Sequence, residues 1–116
     1  MGAASRFSRR RFGGPTRTVE VDVTVGTTVT TVATEHPDRV QLTVQNRSAN
    51  AGALATSRAV TTDDGLYMAA TDGGWVFTVE DDGDLVGYAW YGINTTGAGT
   101  WHIIEVIALP EAERQE

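Results

Sequence analysis

The chain has no cysteine and no lysine, and only two histidines and three prolines among its 116 residues. Without cysteine it can form no disulfide and no thiolate-held zinc site. His36 and His102 are the whole supply of imidazole. No apolar run approaches the ~20 residues of a membrane-spanning helix. The basic start is not followed by the apolar stretch of a signal peptide, so it is expected to be retained. No membrane partner is expected. At this length there is room for one domain and one core.

What is present is divided by charge. Five of the nine arginines, Arg6, Arg9, Arg10, Arg11 and Arg17, fall in the first 17 residues, where there is no acid. The remaining 99 residues hold four arginines against all 15 acids, a formal charge of −11. Small residues dilute the arginines, and only Phe7 and Phe12 are large and apolar. Such a segment cannot bury enough surface to fold alone. It reads as a basic arm over residues 1–17, hinged at Gly13, Gly14 and Pro15. Lysine-free, acid-rich composition suggests a high-salt host, where screening tolerates the acid; a GC-rich genome also favours arginine over lysine.

Residues 18–109 carry β patterning. Val19, Val21, Val23 and Val25 alternate with Glu20, Asp22 and Thr24, a half-buried strand. Val29 and Val32 break the alternation and predict a bulge or short bent strand. From Arg39 to Asn46 the alternation is clearest, with Val40, Leu42 and Val44 predicted inward and Arg39 outward. Weaker strands are expected at Leu54–Val60 and Leu66–Ala69. Trp75, Phe77 and Val79 share one face of the next strand, and Asp81-Asp82-Gly83-Asp84 is read as the turn into a strand over Leu85–Tyr91. Gly92 to Gly99 reads as a loop and Trp101 to Ile107 as the last strand. The tail 110–116 is acidic and could begin a short helix at Pro110. Seven or eight short strands with turn signals predict an all-β fold, an antiparallel, jelly-roll-like sandwich.

Two strands lack a polar face. Trp101, Ile103 and Ile107 oppose Ile104 and Val106, and Tyr88, Trp90 and Tyr91 occupy both sides of theirs. A sandwich strand normally has one wet face. Trp75, Tyr88, Trp90, Tyr91, Trp101 and Ile103 are therefore candidates for an oligomer contact, where aromatics concentrate, or for stacking on sugar rings.

Nothing converges as a catalytic site. Glu105 follows His102 by three residues and so faces away from it. A nucleophile–base–orienter set would need a serine or threonine brought in from elsewhere, and no enzymatic activity is expected. Asp81, Asp82 and Asp84 could hold a hard cation, but they lack the ligand spacing of a calcium loop and read as a solvated turn. Gly97-Ala98-Gly99 has no lysine or following helix to make a phosphate cradle, so no cofactor is expected. The acidic body would repel nucleic acid, leaving the arm as the one segment that could contact it.

The stretch Arg39-Val40-Gln41-Leu42-Thr43-Val44-Gln45-Asn46, a small polar loop, the Leu66 strand, Trp75, Val86-Gly87-Tyr88-Ala89-Trp90 and the closing Glu105-Val106 follow one another in an order that resembles small β-sandwich virion proteins of tailed viruses. These are head decoration, minor capsid and head-fibre base proteins, with an R-x-x-L-x-V-x-N strand ahead of a small-residue loop. The resemblance implies a non-enzymatic virion component assembled as a symmetric homo-oligomer, a trimer being preferred. Its arm (Arg6, Phe7, Arg9, Arg10, Arg11, Phe12, Arg17) would grip an acidic major capsid or portal protein. The composition looks like that of a virus of salt-loving archaea. A surface glycan-binding module and a portal, neck or tail component are the alternatives.

Overall fold

A computed structural model describes residues 15–109. The arm positions Arg6, Phe7, Arg9, Arg10, Arg11 and Phe12, and the tail 110–116 with its expected helix, lie outside the described residues. The described residues form eight strands: β1 (Thr16–Val25), β2 (Thr30–Ala33), β3 (Arg39–Asn46), β4 (Gly52–Ala55), β5 (Leu66–Met68), β6 (Gly73–Thr78), β7 (Trp90–Asn94) and β8 (Gly99–Ala108). One sheet has the order β1-β8-β3-β6 and the other β2-β7-β4-β5. Every pairing among the described residues is antiparallel, so they form an all-β sandwich of two four-stranded sheets.

Period-2 alternation sets which residues meet between the sheets. Val25, Leu42, Val44, Phe77, Trp101 and Ile103 from the first sheet pack with Val32, Leu54, Met68 and Trp90 from the second. Trp101 is fully buried, and its ring lies where glycines of the opposite sheet leave space. A Cβ on Gly92 would stand 2.6 Å from the indole, and one on Gly52 would stand 2.8 Å from it. The indole Nε1 donates to Asn94 Oδ1 at 3.1 Å, which removes the cost of burying a polar N–H.

The two ends of the sandwich are closed differently. At the apical end Asn46 and Asn94 are both buried. Asn46 Nδ2 donates to the carbonyls of Asn50 (2.8 Å) and Met68 (3.2 Å), while its Oδ1 accepts from the Ser48 backbone N–H (2.9 Å). Asn94 Nδ2 donates to the carbonyls of Val25 (3.0 Å) and Gly97 (3.2 Å). At the basal end β1 and β8 finish side by side, with Leu109 N donating to Pro15 O at 3.2 Å.

Several expectations are corrected here. Arg39 points inward and is 1% exposed, because a bulge between Arg39 and Gln41 shifts the register by one residue. Arg17 lies within β1, opposite Ile107, so the strand begins before the expected arm boundary. Of the strand read over Leu85–Tyr91, only Trp90 and Tyr91 are strand, at the start of β7, while Leu85–Gly87 are helical. Its predecessor β6 stops at Thr78, and Val79–Asp82 form one helical turn, α1, followed by a 3-10 helix at Gly83–Gly87. Thr78 caps α1 by accepting from Asp81 N (3.3 Å), while Asp82 Oδ2 accepts from Thr78 N (2.9 Å). Glu80, Asp81 and Asp82 suit the positive end of that turn. Val79 therefore leaves the strand face it was expected to share with Phe77. The region read as a loop after Tyr91 continues β7 to Asn94, and β4 covers only the start of the Leu54–Val60 expectation.

Candidate functional site

The two histidines take different partners. His36 accepts from the Asp38 backbone N–H through Nδ1 at 3.3 Å. His102 in β8 lies on the outer face of the first sheet, directly opposite Asp22 of β1. Its Nδ1 is 2.6 Å from Asp22 Oδ1 and its Nε2 is 3.0 Å from Glu20 Oε1. Both ring nitrogens thus face carboxylates, and an imidazolium can donate to both at once. These bonds, first with Asp22 and then with Glu20, raise the His102 pKa above the ordinary 6.5. Among the described residues no group of three or more histidine, aspartate or glutamate side chains is arranged to hold a metal ion.

Arg39 occupies the basal end of the core. Its Nε donates to Glu105 Oε1 at 2.8 Å, and its Nη1 donates to the carbonyls of Val86 (3.1 Å) and Tyr88 (3.0 Å). Nη2 reaches the Thr34 carbonyl and pairs with the same Glu105 oxygen. One guanidinium therefore ties the end of β2, the 3-10 helix and β8 together. This is a structural hub, since its donors are spent on the chain itself.

The aromatic candidates separate into three groups. Trp101 and Ile103 are wholly buried within the chain, so neither offers surface to a subunit or a sugar. Trp90 is 4% exposed, its Nε1 donating to Leu85 O at 3.1 Å. Tyr91 is half-buried with the Arg58 guanidinium 5.1 Å above its ring, and Tyr88 is exposed near the basal end. Tyr88 borders a cavity of about 330 Å³ with Pro37, Val79 and Asp84, whereas Trp75 joins exposure to a larger one.

That cavity is an open groove of about 600 Å³ between the edge strands β5 and β6, lined by Leu54, Leu66, Trp75, Phe77, Trp90 and the α1 acids Asp81 and Asp82, among others. Trp75 is 40% exposed, and its Nε1 donates to Tyr67 O at 2.9 Å, which bridges β6 to β5 and fixes the indole. Phe77 lies nearly parallel to Trp75 (11°, centroids 6.5 Å apart), and Trp90 stacks on Phe77 (24°, 4.4 Å). Three rings thus run from the core to the surface. Asp81 and Asp82 were expected in a solvated turn. The helical turn after Thr78 brings them to the groove instead, and the Thr78-x-x-Asp81 capping pattern was the signal for it. The exposed Tyr67 also went unremarked in the sequence, because a three-residue strand carries too little alternation to assign a face.

Comparison with family models, with curated proteins and with solved structures returns no match for this chain.

Proposed function

We propose that the chain is a non-enzymatic virion structural protein, a capsid decoration or minor capsid component of a tailed virus. It is anchored through its basic arm to an acidic major capsid or portal protein and assembled as a homo-oligomer. The observation that carries this reading is the strand order. The pair of sheets β1-β8-β3-β6 and β2-β7-β4-β5 is the order expected when eight strands wrap as a jelly roll, an architecture common in viral capsid and lectin domains. Fold alone does not fix function. The charge division adds to it, because an arginine-rich segment without acids suits bidentate pairing with carboxylates of a partner. The outer face of the first sheet adds a surface for a sister subunit: Ile104 aligns with Thr43 and, through it, with Val76, which is 58% exposed, and Val106 lies in the next row.

The test is co-sedimentation with purified particles of the virus that encodes the protein. The full chain should travel with the particles. A variant beginning at Pro15, which keeps β1 whole, should stay folded and remain in the supernatant. Retention of the shortened variant on particles rejects the arm as anchor, and absence of the full chain from particles rejects the virion role.

A further inference from the structure

We infer that the groove between β5 and β6 is a saccharide-binding site selective for neutral sugars. The inference does not depend on the virion role, since it concerns the free protein and its own surface. Its first support is the state of Trp75. Sugar rings present flat C–H faces, and an exposed aromatic plane is their natural partner only if it is held still. Trp75 is 40% exposed, yet its indole is tethered to Tyr67 O and backed by Phe77 and Trp90 in near-parallel planes. Little side-chain freedom is then lost when a ligand settles on it.

The second support is the chemistry beside that plane. Asp81 and Asp82 line the same groove. Each uses its Oδ2 on Thr78, Asp82 with the backbone N–H and Asp81 with the hydroxyl. A carboxylate is acceptor-only and has more lone pairs than one such bond uses. The groove thus combines an apolar plane with acceptors that call for O–H donors, and a pyranose supplies both on one small body. None of the lining residues is basic. A sugar bearing a carboxylate or sulfate would meet two like charges and no counter-charge, which disfavours it. The volume of about 600 Å³ lies within the ~300–1,000 Å³ of small-molecule sites.

The probe is an array of neutral oligosaccharides and their uronate or sialylated counterparts, applied to the full-length protein. Hits are then titrated in solution by tryptophan fluorescence. Neutral sugars should bind, with carboxylated counterparts weaker by at least about tenfold. Trp75→Ala should lower affinity by at least about tenfold, and Trp75→Phe should restore part of it. Tyr88→Ala, an exposed aromatic outside the groove, should change nothing. Asp81→Lys leaves the rings in place and should narrow the gap between neutral and acidic sugars, a readout that a purely structural aspartate would not move. No binding on the array overturns the inference, as does binding that Trp75→Ala leaves intact. If Trp75→Ala instead reduces the sedimentation mass of the sugar-free protein, the groove is a contact between copies and the saccharide assignment fails.

Discussion

Arg39 shows how much a single side chain can decide. It is fully buried, and its partner Glu105 is 16% exposed. Removing the guanidinium would strand that carboxylate and three backbone carbonyls. Arg39→Ala is therefore expected to cost about 3–5 kcal/mol in urea unfolding. Arg39→Lys should recover little, because an ammonium cannot fork toward Glu105, Val86, Tyr88 and Thr34 together. His102 makes a different prediction. Its folded pKa lies above 6.5, so the Asp22 and Glu20 bonds contribute their full stability below that pH and lose it as pH rises through the folded value. Melting temperature measured upward from pH 6 should fall across that window, and His102→Gln should flatten the fall. At this scale the sequence was only partly readable. Leu42 and Val44 were legible from alternation. Arg39 was not, because a one-residue bulge reverses the side of a strand without leaving a mark in the hydrophobic pattern.

Among the elements, β1, β3 and β8 were legible because each is long enough for period 2 to show. α1 was not, since four residues cannot display a helical period and Val79 continues the alternation of Trp75 and Phe77. β7 was hidden by its own glycine. Gly92 looks like a loop residue, yet it is the seat for Trp101 from the facing sheet. Gly92→Ala should therefore overpack the space between the sheets and cost about 1–3 kcal/mol in the same unfolding assay, although alanine normally suits a strand better than glycine. An unchanged midpoint would mean that the indole can shift aside. The candidate groove depends on the same illegible elements. Trp75 could be flagged from composition, but its acidic neighbours arrive only through the capped turn after Thr78.

For the whole molecule, alternation and turn spacing were enough to foresee a two-sheet sandwich, because both sheets need one apolar face. Which strands share a sheet was out of reach. β3 and β8 are adjacent in space but more than fifty residues apart in the chain, and no local pattern records that pairing. The shared basal exit of β1 and β8, fixed by the contact between Leu109 and Pro15, has a mechanical consequence. Tension applied between these two exits peels the β1–β8 ladder open from one end, one pair after another. Tension between Pro15 and the apical loops loads the ten registered pairs in shear, all at once. A domain held by its leading segment while the apical loops are dragged outward is therefore pulled along its stiff direction.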